Sequence, residues 1–389
     1  MSIPITRPFF GDEELEAVQR PLLSEWVVQG PEVAEFERLF AEHVRAPHAA
    51  ATSSCTTALH IAVAALGLEA GDAVAVPAFT WISTANVVEY LGARPVFVDI
   101  ELDTFNVAPD AMAAAIGADT VGLVPVHLFG LCAEMEPITD AARRHDLWVV
   151  EDAACAFGSW IGERSAGTFG DVGAFSFHPR KSITTGEGGM LTTANAELDG
   201  LFRSLRDHGA TRSDHDRHGS TGAFLLSEYP HLGFNFRLTD IQAALGVAQM
   251  QRADWILGER RRRAARYDEL LRDVQWFRPQ TTPPGYVHGY QAYVGLFAPD
   301  EPSLANVAAL HERRNRVMAN LEHQGIATRQ GTHAAFSQRY YAEKYGLRPE
   351  HFPNAYLADR LSLALPLFPQ MTDDDQERVV RALREAIDA

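Results

Sequence analysis

Cysteine is scarce in this chain: three residues, Cys55, Cys132 and Cys155, among 389. An odd, small count gives no disulfide framework and suits a reducing compartment. No Cys/His spacing resembles a zinc site, so no metal is expected. Long apolar runs are also missing. None approaches the roughly 18 to 20 residues that span a bilayer. The opening residues lack the charged-then-apolar layout of a signal peptide. These absences together predict a soluble cytoplasmic protein without membrane attachment. Positive charge is short as well. Lys plus Arg is 34 against 51 for Asp plus Glu, a net charge of -17. That excludes a general affinity for nucleic acid or anionic membrane. The densest basic run, Arg260 to Arg263, follows Glu259 and precedes Asp268 and Glu269. Such interleaving predicts a solvated helix face.

What the chain does have is apolar content, 46% hydrophobic residues, and enough length for two packed units. Its first two-thirds alternate short apolar runs with helical patterns. Strands are expected at Ala73–Pro77, Pro95–Ile100, Val121–Leu128 and Leu147–Glu151. Helices are expected at Thr56–Leu68, Ile82–Leu91 and Ile138–His145. Continuous apolar strands separated by helices indicate a parallel or mixed sheet covered on both faces. Ligands of such sheets collect at the carboxyl ends of the strands. From Thr239 to Leu271 the pattern is helical, with Gly258 as an expected break. Beyond the turn-rich Gln280–Gly285, a strand at Tyr290–Phe297 and helices at Leu304–His323 and Thr372–Ile387 form a smaller α+β unit. The division falls at residues 1–255 and 256–389. Ala210–Tyr229 reads as a loop.

The polar groups with chemical potential follow strand-like runs. Lys181 ends a turn after Gly173–Phe177, and a glycine-rich segment, Gly186–Gly189, follows at once. A lysine placed there can be held beside a cofactor as an amine nucleophile, which points to a Schiff base with pyridoxal phosphate (PLP). Glu151 and Asp152 end a buried strand. A carboxylate there can keep a pyridinium nitrogen protonated; the plainer role is a helix cap. Thr52–Thr57 sets small hydroxyl residues before an apolar helix, either a phosphate site at free N–H groups or an ordinary cap. Trp81 could stack on a flat ring or fill a core. Gly186–Gly189 permits close backbone approach.

Taken in order, Ser53–Leu59, Pro77–Trp81, Pro125–Gly130, Glu151–Ala154, Phe175–Lys181 and Gly233–Gly246 resemble the DegT/DnrJ/EryC1/StrS aminotransferases. The resemblance covers nearly the whole chain. It implies the aspartate-aminotransferase fold (fold type I): a large domain with a mixed, mostly parallel seven-stranded sheet and a small C-terminal α+β domain. It implies PLP as cofactor, with Lys181 as the Schiff-base lysine and Asp152 as the acid at the pyridine nitrogen. Trp81 lies over the ring in that scheme. Cys55, Thr56 and Ser176 hold the phosphate, and Asn235 reaches the phosphate of the neighbouring subunit, which implies a homodimer with shared sites. Arg237, His178 and His333 are the substrate-side candidates. Cys155 stands where the family carries glutamine or histidine, near the ring's phenolic oxygen.

The implied reaction moves an amino group from L-glutamate to a ketone of a nucleotide sugar, a 4-keto-6-deoxy sugar in first place, by a ping-pong route through Lys181. The alternatives are a cyclitol, a 3-keto sugar, or a dehydratase of the same fold. A non-catalytic relative would be expected to have lost the lysine or the acid; both are present.

Overall fold

The computed structural model describes residues 2–211 and 227–387; most of the loop expected over Ala210–Tyr229 lies outside them. In chain order the strands are β1 (His48–Thr52), β2 (Ala73–Pro77), β3 (Arg94–Val98), β4 (Thr120–Leu123), β5 (Trp148–Asp152), β6 (Trp160–Ile161), β7 (Arg164–Ser165), β8 (Val172–Ser176), β9 (Gly189–Thr193), β10 (Phe277–Pro279), β11 (Tyr286–Val287), β12 (Tyr293–Phe297) and β13 (Ser362–Leu365). Seven of them form one sheet in the order β1-β9-β8-β5-β4-β2-β3. Within it β9 is antiparallel to both neighbours, and the remaining pairs are parallel. This is the mixed, mostly parallel seven-stranded sheet that was expected. A three-stranded antiparallel sheet, β10-β12-β13, belongs to the C-terminal part, beside helices Val307–His323, Pro353–Leu361 and Asp373–Ala386.

Both faces of the large sheet are buried, and the two-residue period of a strand distributes its side chains between them. Ala50, Val150, Ala174 and Leu191 join the core beneath helix Cys55–Ala65. Their neighbours Ala49, Ala51, Phe175 and Met190 pack in the opposite core with Phe36 and Phe40, and Val149 packs in a third cluster. This parity decides which polar side chains at the strand ends can meet.

Two expectations shift. The apolar run Val121–Leu128 is paired as strand only to Leu123; farther on, Val126 makes a single bridge to Asp152. The helical stretch after Thr239 does divide, into Asp240–Gln251 and Ala253–Leu270, but the division is at Arg252. Gly258 lies inside the second helix, with open space where a Cβ would be.

Candidate active site

The site is built at the carboxyl ends of β1, β2, β5 and β8. On β5, Asp152 shares parity with Val150 and therefore faces helix Cys55–Ala65. It is buried. Its Oδ2 accepts the hydroxyl of Thr84 at 2.8 Å, and its Oδ1 accepts the amide of Ala154 at 3.2 Å. Thr84 in turn lies 3.0 Å from Thr80. Burial pushes the Asp152 carboxyl up, against the pull of Thr84, Ala154 and Lys181. Both hydrogen bonds to this buried carboxylate come from neutral donors, so neither neutralises its charge.

Ser176 has the parity of Ala174, so it looks to the same face as Asp152. The chain then turns: the Lys181 amide donates to the His178 carbonyl at 2.8 Å. Lys181 Nζ donates to Cys155 Sγ at 3.0 Å. Burial opposes the lysine's charge, but Cys155, Cys55 and Asp152 outweigh it and hold the ammonium above its ordinary pKa. Burial and the nearby Asp152 push the Cys55 thiol up. Lys181, Asp152, Cys155 and Cys55 are thus brought into one cluster.

Cys55 and Thr56 open helix Cys55–Ala65 after Ser54, whose Oγ accepts the Thr57 amide at 3.2 Å. The hydroxyl cap is real, but it serves Thr57. The amides of Cys55 and Thr56 precede any intrahelical acceptor and carry the positive end of the helix dipole. Gly189 starts β9 directly against this turn: a Cβ there would collide with the Ser54 carbonyl and lie 2.7 Å from the Cys55 nitrogen. A glycine at 189 is what allows the sheet to close on the cradle.

Trp81 is no core residue; it is 58% exposed. Its ring lies 5.9 Å from that of His333, and the Thr80 amide donates to the His333 carbonyl at 3.0 Å. The C-terminal segment therefore reaches the rim of the site. His178 is held locally, its Nδ1 accepting the Arg180 amide at 3.2 Å, and burial lowers its pKa. Asn235 is exposed, on backbone bridged to Asp207. The adjoining Phe236 carbonyl accepts the Ser53 amide at 2.9 Å. Arg237 pairs with Asp207 at 2.8 Å.

The run Arg260–Arg263 corrects an expectation. Only Arg262 behaves as a solvated residue, paired with Glu259. Arg260 is buried and donates to the carbonyls of Tyr290, Gln291 and Leu367 at 3.2 to 3.4 Å, and to that of Lys181 at 3.4 Å. Burial depresses its pKa to about 10. Arg263 is also buried and pairs with Asp373. Arg261 donates to the carbonyls of His288 and Gly158 at 3.1 and 2.6 Å. Sequence reading missed Arg260 and Thr84. Thr84 stands one turn after Trp81 at a strand-to-helix junction, a signal that was available.

These residues fit a flat ring with a basic nitrogen and an anionic tail. Asp152 is buried with only neutral hydrogen-bond donors on its oxygens, the Cys55–Thr56 amides offer an anion cradle, and the Lys181 amine lies in the same cluster. Sheet and site together define a PLP-type α/β enzyme. The chain matches the DegT/DnrJ/EryC1/StrS aminotransferase family over residues 8–384 and belongs to it. It is 36% identical over 385 residues to the spore coat polysaccharide biosynthesis protein SpsC of Bacillus subtilis, covering 99% of this chain and 97% of that one. Among solved structures, an aminotransferase from Psychrobacter cryohalolentis is 31% identical, with a TM-score of 0.86 and 97% of each chain covered. The Streptococcus pneumoniae protein Spr1654 in its PLP form gives a TM-score of 0.90 at 26% identity, covering 100% and 99%. The cofactor of this chain is accordingly pyridoxal phosphate. No helix among the described residues is long and apolar enough to cross a membrane.

Proposed function

We propose that this enzyme transfers an amino group from L-glutamate to a ketone of a nucleotide-linked sugar, with a 4-keto-6-deoxy sugar as the first candidate. The observation that carries the reading is the half-buried Lys181 amine in one cluster with Asp152 at the carboxyl edge of the sheet. Two similarities favour a sugar: SpsC by its name serves polysaccharide biosynthesis, and Spr1654 is named a sugar aminotransferase.

PLP, when bound, supplies an aldehyde for amine exchange and a ring that withdraws electrons. In this scheme Lys181 holds the cofactor through its ε-amine. Once freed, the same amine takes a proton from the donor's α-carbon and returns it on the other side of the exchange. Asp152 keeps the ring nitrogen protonated, a partner that its own burial favours. The Cys55 and Thr56 amides and the Ser176 hydroxyl receive the phosphate. Trp81 covers the ring. His333, His178 and Arg237 face the sugar side, and Asn235 serves the site of a second subunit in a homodimer. Residues 1–255 form the cofactor-binding unit and 256–389 the smaller one, the change-over lying in helix Ala253–Leu270. Three free cysteines suit the cytoplasm.

The test is a panel of keto sugars and keto cyclitols with glutamate as donor, followed by release of 2-oxoglutarate. Amination with stoichiometric 2-oxoglutarate supports the reading; loss of water from the sugar without 2-oxoglutarate points to a dehydratase. Lys181→Ala should lose turnover and the visible absorbance of the bound cofactor. Retention of both would remove Lys181 from its role.

A further inference from the structure

Two thiols face the central amine. Cys155 Sγ is 3.0 Å from Lys181 Nζ, and Cys55 lies within electrostatic range of both. All three cysteines are free. They differ in setting. Burial holds Cys55 and Cys132 as neutral thiols. Cys55 and Cys155 are both half-buried, but Cys155 is the one that has the Lys181 ammonium as its hydrogen-bond partner. Peroxide oxidises the sulfur of a thiol that it can reach, and Cys155 keeps part of its surface open.

We propose that Cys155 is a peroxide-sensitive modification site whose oxidised sulfur is captured by Lys181 as a sulfur–nitrogen cross-link. In the first step the Cys155 sulfur gives two electrons to hydrogen peroxide. The O–O bond breaks, an S–OH bond forms, and one water leaves. In the second step the Lys181 amine attacks that sulfur. An S–N bond forms, the S–O bond breaks, and the hydroxyl leaves as a second water with a proton from nitrogen. The pair ends two hydrogens lighter. Sulfenic acids are known to condense with thiols and with nitrogen in this way. Proximity does the selecting, since the amine is already the sulfur's hydrogen-bond partner. Two equivalents of an external thiol reverse the link, regenerating thiol and amine as the external pair becomes a disulfide.

The link itself rests on geometry alone. Its consequence, that oxidation removes the amine from service, rests on the proposed role of Lys181. The full-length enzyme, with and without added PLP, is treated with hydrogen peroxide, digested and read by tandem mass spectrometry. Without PLP, the peptides carrying Cys155 and Lys181 should be joined at the sum of their masses less two hydrogens, and dithiothreitol should part them. Cys155→Ser should give no link, and Cys55→Ala should still give it. The proposal is overturned if Cys155 stays a free thiol, if it proceeds to sulfinic acid unlinked, or if its partner is Cys55. Added PLP should protect. A link that forms equally well with PLP present would uphold the cross-link and count instead against Lys181 as the cofactor's anchor.

Discussion

Glu151 and Asp152 are adjacent in sequence and work on opposite faces of β5. Asp152 meets Thr84 on the helix Cys55–Ala65 side. Glu151 turns the other way, is fully buried, and accepts four hydrogen bonds: from His127 Nε2 at 2.8 Å and from the amides of Gly167, Phe169 and Gly170 at 2.6 to 2.8 Å. One acid is left short of partners at the ligand edge; the other staples a loop.

Their substitutions should therefore separate chemistry from stability. Glu151→Gln keeps the shape but sets its NH2 against two of the four donors, since each carboxylate oxygen accepts two, so the urea midpoint should fall by the equivalent of about 2 kcal/mol or more. Activity per folded molecule should persist. Asp152→Asn should lower turnover by at least about 100-fold. Burial raises the Asp152 pKa above its unfolded value, so the ionised group opposes folding at neutral pH. The urea midpoint of Asp152→Asn should accordingly hold or rise. A parallel fall in both properties for both variants would contradict the split.

Gly189→Ala tests the cradle. The added methyl meets the backbone of Ser54 and Cys55, which cannot rotate away as a side chain could. The local shift should cost about 1 to 3 kcal/mol and weaken PLP binding roughly 5- to 100-fold. Fluorescence titration of the cofactor-free chain measures it. Unchanged affinity would show that this turn takes no part in holding the cofactor.

Arg260 and Arg262 are two positions apart and should behave oppositely. Arg260→Met orphans buried carbonyls of Tyr290, Gln291 and Leu367, at a cost of about 3 kcal/mol. Arg262→Ala gives up an exposed pair with Glu259 and should stay within about 0.5 kcal/mol. Urea unfolding of the two variants decides.

How much of this could be read from residues alone follows from the same features. Strands buried on both faces leave continuous apolar runs, so β2 and β5 were legible. That continuity also hides parity: Val149 and Val150 are equally apolar, and nothing local says which of Glu151 and Asp152 faces the ligand. The apolar run past Leu123 continues after its pairing ends, which overextended β4. The arginine run looked solvated because charge pattern carries no information on backbone carbonyls from Tyr290 and Leu367, far along the chain. Lys181, Asp152, Cys55 and Cys155 could be named from strand ends and a family likeness. Their convergence needed the sheet order.

Acid should unfold this enzyme partly through Glu37. This carboxylate is buried between Arg206 and Arg203, at 2.5 and 2.7 Å, and also accepts the Ala51 amide at 2.9 Å. Burial pushes its pKa up, but the two guanidiniums prevail and hold it below the ordinary value of 4.5. A depressed folded pKa contributes stability above the unfolded pKa, and that contribution is lost as pH falls through the folded one. Glu37→Gln should lower stability at neutral pH by about 3 kcal/mol and flatten the loss below about pH 4. Urea midpoints against pH provide the comparison; parallel curves for the two proteins would remove Glu37 from the acid limb.

If Asn235 serves the neighbouring site, two inactive variants should rescue each other. Mixed and re-associated Lys181→Ala and Asn235→Ala subunits would produce hybrids with one intact site each, restoring roughly a quarter of wild-type activity. No recovery despite demonstrated subunit exchange would place Asn235 in its own subunit's site or in none.

β9 runs against its neighbours, and Ser176 and Gly189 are partners across its first rung with β8. The segment that carries Lys181 is therefore a loop whose two ends are fastened to each other on a single rung at the ligand edge. A single inserted residue cannot be taken up by sliding β9, because a one-step slip would exchange Met190 and Leu191 between the two cores. Length in this loop is consequently far less free than residue identity. Variation among functional relatives should appear there as substitution rather than insertion, since the amine's reach is set by a count of residues between two anchored ends.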